Sequence, residues 1–258
     1  GIENSHIGNF KNFNTLVNNK LQIFQSKNLI NGLINYSHSN PDLTKKIKSN
    51  TKIINLDNIK VSITKNTKYV LQFKDNVNKH NIESDLNGIY LETAIISYLF
   101  LKIFIKKFHS KNFFHAKSII DSRGKVIKKN YKGKIIKIFD HSYNSSPYSL
   151  KKQLFFFNQK KISKKLYIIG SMKELGSNSS NYHIEILELI SSYNLGKSVF
   201  IGDEFFKFKK LFQNYKFYKS YKNYTKIMYR DLNYYKNIFV MGSRSNQLEK
   251  IIEKIWLV

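Results

Sequence analysis

The sequence predicts an α/β protein in which strands and helices alternate, and three observations support this fold class. Short apolar segments recur along the second half of the chain, separated by enough residues for a helix. Glycine follows several of them, at Gly170, Gly202 and Gly242. Another segment runs into a polar turn, DHSYNSSP, which is where an open α/β sheet collects its ligands. Such alternation predicts a parallel sheet with right-handed crossovers.

The first half of the chain is less regular. Apolar residues at helical spacing predict an amphipathic helix over residues 13–24. A strand at 29–35 and a weaker strand region over 53–73 follow. Residues 79–82 are expected to open a long buried helix. Its apolar run, 89–105, is shorter than the ~20 residues that a membrane-spanning helix needs, so no membrane insertion is expected.

The second half predicts a regular order of elements after a turn at residues 122–124. Glycine at a strand end allows a sharp turn or a close approach to a ligand. The predicted strands cover residues 134–139, 166–169, 198–201 and 237–241. The predicted helices cover residues 149–158, 182–193, 204–214 and 245–256. We therefore expect a separate α/β domain from about residue 121, with a hinge before it.

Composition limits the function classes. The 258 residues suit two ordinary domains or one large one. The absence of cysteine excludes disulfides, thiolate metal sites and a cysteine nucleophile, and it fits a reducing compartment such as the cytoplasm. A net charge of +27 invites a nucleic-acid partner. The basic residues are scattered in short pairs, which usually mean solvated faces, and a phosphate-rich small substrate would also suit the positive charge.

Two local patterns bear on nucleotide chemistry. Gly196-Lys197-Ser198 resembles the end of a phosphate-binding loop, but the required earlier glycine is Ser191 and the segment precedes a strand. The chain as given therefore has no complete phosphate loop. It also begins at Gly1 without a signal peptide, from which we expect that an upstream part exists. The DHSYNSSP turn, taken alone, favours a strand–helix corner with an N-cap over a ligand site.

A set of motifs occurs in a fixed order along nearly the whole chain. The motifs are SHIGNF…NKLQIF, KHNI, SRG, DHSYNSSP, GSMKELG and MGSRS…LE. In this order the chain resembles the Mur ligases, and within that family the members that join D-alanyl-D-alanine to UDP-N-acetylmuramoyl-tripeptide. The resemblance implies the remainder of a central P-loop-type ATPase domain at residues 1–120 and a Rossmann-like C-terminal ligase domain at 121–258. The UDP-sugar domain and the phosphate loop would precede Gly1.

The resemblance also implies a reaction. ATP would phosphorylate the terminal carboxylate of the peptide, and the amine of D-alanyl-D-alanine would attack the acyl phosphate to form the amide of a peptidoglycan precursor. This chemistry requires neutralised phosphate charge and two positioned substrates. By the same resemblance, His6 is a Mg²⁺ ligand and Lys20 is a lysine that is carbamylated, which turns its cation into an anion that holds the metal.

Further roles follow from matching positions. The nucleotide side would be formed by Asn81, Arg123, Asp140, Tyr143 and Asn144. The incoming amino substrate would meet Glu174, Ser243 and Arg244. The implied protein is a cytoplasmic enzyme, active as a monomer.

Several residues depart from the family pattern. They are His141 in place of an acidic residue, Ser171 in place of Asp, Met241 in place of Lys, and Ser146 and Ser84 in place of Asn. We therefore keep three alternatives to the D-alanyl-D-alanine ligase: a sibling ligase that adds a different amino acid, a decayed homologue, and a non-catalytic basic α/β protein that binds nucleic acid.

Overall fold

A computed structural model describes residues 7–29, 32–35, 51–54, 60–63, 69–74, 79–84, 89–105 and 122–256. The chain divides into two compact units. The first contains Phe10–Lys117, and the second contains Ser118–Val258 together with the 3-10 turn Ile7–Asn9. Each unit is described by itself below.

In the first unit, helix α1 covers Phe13–Leu21. The side chain of Asn12 caps it by accepting a hydrogen bond from the Thr15 N–H at 2.9 Å. The buried residues Leu16, Val17 and Leu21 form its apolar stripe. The sequence predicts a helix that extends to residue 24, but α1 ends at Leu21 and the chain continues over Gln22–Gln25 as a 3-10 turn.

The strands of the first unit form two small sheets. β1 (Gly32–Asn35) pairs in parallel with β2 (Thr51–Ile54). β3 (Lys60–Ile63), β4 (Tyr69–Lys74) and β5 (Lys79–Ser84) form an antiparallel sheet.

The prediction that residues 79–82 open the long helix is therefore wrong. Each residue of β5 pairs with β4, Asn81 with Gln72 for example, so the backbone of these residues serves a strand ladder and not a helix. The helix, α2, covers Ile89–Phe104. None of the described helices is long and apolar enough to cross a membrane.

The second unit is built on a six-stranded sheet with the order β10-β9-β8-β11-β7-β6. Four of its strands were predicted: β7 (Lys134–His141), β8 (Lys165–Gly170), β9 (Lys197–Ile201) and β11 (Asn237–Met241). The sequence prediction missed β6 (Lys125–Tyr131) and β10 (Lys216–Tyr218). All neighbours are parallel except β6 and β7, which form an antiparallel edge hairpin.

Helices cover both faces of this sheet. α3 (Pro147–Gln159) and α4 (Ser179–Ser192) share one apolar cluster with strand residues such as Tyr167. Two short helices, α5 (Asp203–Phe206) and α6 (Tyr221–Thr225), follow. A second apolar cluster, on the opposite face of the sheet, contains residues of α7 (Met228–Tyr234) and α8 (Glu249–Trp256). The two clusters place a buried core on each side of the sheet, as expected for a parallel α/β domain.

Parallel pairing brings the carboxyl ends of β7, β8 and β11 to one edge. Met241 lies opposite both His141 and Ile169. A β-carbon on Gly242 would lie 2.6 Å from the Gly170 α-carbon, so only glycine allows these two strand ends to approach so closely. The loops that leave the three strands consequently meet at this edge, where they form the candidate site.

Candidate functional site

A cavity of about 390 Å³ lies at the carboxyl edge of the sheet in the second unit. Three loops line it, one after each of β7, β8 and β11. The lining residues are Tyr143, Asn144, Ser145, Ser146, Ser149, Lys173, Glu174, Leu175, Ser243, Arg244 and Ser245. Five residues predicted for the site are among them: Tyr143, Asn144, Glu174, Ser243 and Arg244. The fold therefore brings together motifs that are far apart in the sequence.

The loop after β7 is shaped by Asp140. Its buried carboxylate accepts hydrogen bonds from the Ser142 N–H at 3.0 Å and the Ser142 hydroxyl at 2.7 Å. The Asn144 side-chain oxygen accepts a further hydrogen bond from the neighbouring Ser145 N–H at 2.8 Å. Asp140 thus supports the turn that presents Tyr143 and Asn144. Its predicted role as a nucleotide ligand stays a prediction.

The same loop leads directly into α3. Ser146 is the N-cap, and it forms a capping box with Ser149, in which each hydroxyl receives the other residue's backbone N–H. Pro147 occupies the first helical position, where its missing N–H costs nothing. Serine in place of the family's asparagine therefore preserves the helix start, because both residues cap well.

Two arginines converge on Tyr143. Arg123 lies in the turn before β6, which is held beside the loop by a hydrogen bond from the Gly124 N–H to the Asp140 carbonyl. The central guanidinium carbon of Arg123 is 3.9 Å from the centroid of the Tyr143 ring, and that of Arg244 is 5.6 Å from it. One aromatic side chain thus gathers two permanent positive charges at the rim of the cavity.

The loop after β8 is anchored to the loop after β11. The buried Ser243 hydroxyl accepts a hydrogen bond from the Lys173 N–H at 3.0 Å. The Asn246 side-chain amide donates to the carbonyls of Ser171 at 2.7 Å and of Ser243 at 2.8 Å. Ser171 also accepts from the Phe205 N–H through its hydroxyl at 3.3 Å. Serine in place of the family's aspartate here is a buried structural residue.

Lys173 and Glu174 give the cavity charge of both signs. The ammonium group of Lys173 forms an ion pair with Glu204. Burial alone would raise the pKa of Glu204, but the hydrogen bond and charge of Lys173 lower it overall. Glu174 adopts the left-handed region with φ 61°, and its carbonyl accepts a hydrogen bond from the Gly8 N–H at 3.0 Å. Its exposed side chain is the carboxylate among the lining residues.

Two further departures from the family pattern lie at the ends of the central strands. His141 is buried beside Phe239, with ring centroids 5.5 Å apart. Burial, and next the nearby charge of Lys160, lower the pKa of His141 to about 4, so the side chain is neutral at pH 7. Met241 is buried in the core. Neither residue contributes charge to the cavity at neutral pH.

The remaining predicted residues belong to the first half of the chain. His6 lies outside the described residues. Lys20 lies half-buried on α1, next to the buried Leu21, and Asn81 lies in β5, where only the backbone is described. Within the described ranges, no group of three histidine or acidic side chains is placed to hold a metal. The metal and adenine roles therefore stay predictions.

Five polar residues that line the cavity were not among the predicted site residues: Ser145, Ser146, Ser149, Lys173 and Ser245. Lys173 lies inside the GSMKELG motif, beside the selected Glu174, so the motif itself was the available signal. The sequence indicated Ser149 only as the start of a predicted helix. Ser145 is buried, and its hydroxyl makes no hydrogen bond within the described structure.

Comparisons with known proteins agree with this architecture, although no family model matches the chain. The sequence is 28% identical over 281 residues to the UDP-N-acetylmuramoyl-tripeptide–D-alanyl-D-alanine ligase of Rickettsia prowazekii, covering 98% of this chain and 59% of that protein. A crystal structure of MurF from Acinetobacter baumannii matches with a TM-score of 0.82 at 15% identity, covering 100% of this chain and 58% of MurF. The MurF ligase of Thermotoga maritima, in complex with ADP, matches with a TM-score of 0.76 at 18% identity, covering 98% of this chain and 60% of that one.

The chain resembles the Mur ligases in sequence and has their α/β fold, as its ordered motifs predict. It spans 59% of the length of the curated relative that it matches.

Proposed function

We propose that this chain is the C-terminal part of an ATP-dependent ligase that adds D-alanyl-D-alanine to UDP-N-acetylmuramoyl-tripeptide in peptidoglycan precursor synthesis. One observation carries the proposal: Tyr143, Asn144, Glu174, Ser243 and Arg244, selected from separate motifs, line one cavity. The similarity to the Rickettsia prowazekii ligase over 98% of the chain supports it. Residues 1–120 would be the remainder of the ATPase domain, and residues 121–258 the closing ligase domain.

The nucleotide side of the site fits an anion with an aromatic base. Bound ATP supplies the phosphoryl group that activates a carboxylate as an acyl phosphate. Arg123 would neutralise phosphate charge with its planar guanidinium group, which suits oxyanions because it donates two hydrogen bonds at once. Tyr143 would hold both arginines in place and offer a ring face, and Asn144 would add amide hydrogen bonds.

The amino substrate would occupy the side of the cavity nearer the loop after β8. Glu174 would accept hydrogen bonds from the ammonium group of the substrate. Arg244, a cation that lines the same cavity, would bind the opposite charge of the substrate, and Ser243 lines the cavity beside it. A cavity with one carboxylate and nearby cations suits a zwitterion such as a dipeptide. Positioning the amine next to the acyl phosphate is the main contribution that such a site can make to the rate.

The metal would be Mg²⁺, with His6 and carbamylated Lys20 as its ligands. Lys20 is half-buried on α1, beside the buried Leu21, which limits the positions that its side chain can reach. We further propose that the protein acts in the cytoplasm, because its proposed substrates, ATP and a UDP-linked peptide, are cytoplasmic metabolites, and that it acts as a monomer.

The experiment that tests this function uses the complete gene product. Phosphate release from ATP and Mg²⁺ would be measured with UDP-muramoyl-tripeptide, with and without D-alanyl-D-alanine. We expect release only when both substrates are present. Lys20→Ala would abolish it, whereas the exposed Lys27→Ala would not. Release with another amino acid in place of the dipeptide would identify a sibling ligase. Release that ignores both substrates would refute the proposal.

A further inference from the structure

A buried histidine anchors the loop that supplies Lys173 and Glu174 to the cavity. His183 on α4 is fully buried, and its Nε2 accepts a hydrogen bond from the Met172 N–H at 3.0 Å. Its Nδ1 lies 2.7 Å from the Ser179 carbonyl oxygen, one turn earlier on the same helix. The ring of Phe205 packs against it edge-on, with centroids 4.6 Å apart. The imidazole therefore joins the loop, the helix and the core.

These two hydrogen bonds fix the tautomer of His183. A carbonyl oxygen only accepts, so Nδ1 carries the proton that it donates to Ser179. A backbone N–H only donates, so Nε2 is unprotonated where it meets Met172. The neutral ring satisfies both partners. A protonated ring would set a second N–H against the Met172 N–H, and the loop would lose this anchor.

The charges around His183 favour the neutral ring. Burial is the main cause that lowers the pKa of His183. The Ser179 carbonyl and the Glu204 carboxylate act in the opposite direction, whereas Lys173 and Lys207 lower the pKa further. The anchor is therefore intact at pH 7 and weakens only in acid.

The loop depends on such anchors because its backbone is strained. Glu174 has a φ of 61°, which residues other than glycine rarely adopt. Only one residue separates it from Met172. Without the hydrogen bond to His183, the strained backbone would keep the bonds of the Lys173 N–H to Ser243 and of the Gly8 N–H to Glu174 but lose its anchor at Met172. The side chains of Lys173 and Glu174 would then shift in the cavity.

We propose that His183 is a positioning residue of the candidate site, which in its neutral form holds the backbone that presents Lys173 and Glu174 to the amino substrate, and which releases that backbone on protonation. This role deepens the proposed ligase function and rests on it. We expect this role to affect the binding of the amino substrate and not of ATP, because Met172 adjoins Lys173 and Glu174, which lie on the side of the cavity proposed for the dipeptide.

Two substitutions separate the hydrogen bond from the packing. His183→Leu fills the space but removes the acceptor. His183→Gln keeps an acceptor oxygen near the position of Nε2 and cannot be protonated. Ser180→Ala, at an exposed position on the same helix, is the control. The readouts in the complete gene product are KM for D-alanyl-D-alanine, KM for ATP, both as functions of pH, and hydrogen exchange at the Met172 amide.

We expect His183→Leu to raise KM for D-alanyl-D-alanine about tenfold, the effect of losing one buried hydrogen bond, with little change in KM for ATP. In the unsubstituted protein, KM for the dipeptide should rise as the pH falls below the ordinary histidine range, and His183→Gln should remove this rise. Equal effects on both KM values, or an unchanged pH profile in His183→Gln, would overturn the role.

Hydrogen exchange distinguishes this proposal from the ligase function itself. If the complete protein shows no ligase activity, the function fails, yet the anchor is still tested. The Met172 amide should be protected in the unsubstituted protein and in His183→Gln, and should exchange at least tenfold faster in His183→Leu. Equal protection in all three proteins would refute the anchor.

Discussion

Arg123 stacks on Tyr143, with 3.9 Å between the central guanidinium carbon and the ring centroid. The contact joins the turn before β6 to the loop after β7. It also brings a charge from outside the cavity to the rim where Tyr143 lies. A planar guanidinium can stack and still donate hydrogen bonds to a phosphate, which a lysine ammonium at the same place cannot do.

Arg123→Lys therefore keeps the charge but loses the stacked geometry. We expect KM for ATP to rise about three- to tenfold, because a cation–π contact contributes about 0.5–1 kcal/mol and bidentate phosphate binding adds to it. Steady-state kinetics with varied ATP measure this. The matched control is Arg230→Lys, at an exposed arginine 5.8 Å from the ring of Tyr229. Equal KM values in both variants would contradict the role of Arg123.

The pH dependence of stability tests the burial of His141. Its pKa of about 4 in the folded protein lies below the ordinary value of 6.5, so the unfolded chain binds a proton that the folded chain resists. The contribution of the neutral His141 to the free energy of unfolding is fully present above about pH 6.5, and it is lost as the pH falls towards 4. The loss is about 3 kcal/mol for this side chain alone.

His141→Gln should remove this share of the acid sensitivity, which urea unfolding at several pH values would measure. All other titrating groups are common to the two proteins, so the difference between their curves isolates His141. Parallel curves between pH 6.5 and 4 would show that His141 titrates normally and is not buried as described.

Gly202 tests the packing between the loops that frame the site. It has a φ of 114°, and a β-carbon there would lie 2.5 Å from the Asn246 side-chain oxygen and 2.8 Å from the Ser171 β-carbon. We expect Gly202→Ala to lower the free energy of unfolding by about 3 kcal/mol or more, because backbone strain and overlap add.

Gly133→Ala is the matched control for this substitution. Gly133 also has a positive φ, 74°, but nothing lies within 4 Å of a β-carbon there. Its cost should be limited to the backbone term, about 1–2 kcal/mol. Denaturant unfolding of the two variants measures the difference. Similar losses at both positions would mean that Ser171 and Asn246 are not packed against Gly202.

The sequence predicted the central strands well and their surroundings poorly. β7, β8, β9 and β11 are nearly continuous apolar runs, because helices cover both faces of the parallel sheet. β6 has the sequence KVIKKNY, which lacks an apolar run since it forms an edge with one exposed face. β10 has only three residues, too few to show a period.

Helix ends were decided by backbone contacts that a hydrophobic pattern does not show. Residues 204–214 keep helical spacing of their phenylalanines, yet α5 ends at Phe206 and tighter turns follow, with the Phe208 N–H bonded to Phe205. The last helix begins at Glu249 and not at 245, because Gln247 adopts a left-handed conformation, with φ 52°. Such turns follow tertiary packing and not local propensity.

The candidate site was predictable where a motif lies directly after a strand, as with Tyr143, Asn144, Ser243 and Arg244. The sequence could not show that the Asp140 carboxylate is hydrogen-bonded to Ser142, or that His141 is buried and neutral. Both depend on the packing of β7 against β11. The positions of Lys173 and His183 depend likewise on contacts between elements that are distant in sequence.

The most direct test of the central claim is product formation by the complete gene product. UDP-muramoyl-tripeptide, ATP, Mg²⁺ and D-alanyl-D-alanine would be incubated together, and the nucleotide-linked product would be identified by mass spectrometry. The account predicts the amide-linked pentapeptide, formed only when all components are present and lost in Lys20→Ala. Absence of this product from a folded protein that binds the UDP-peptide would contradict the account and would favour a decayed homologue.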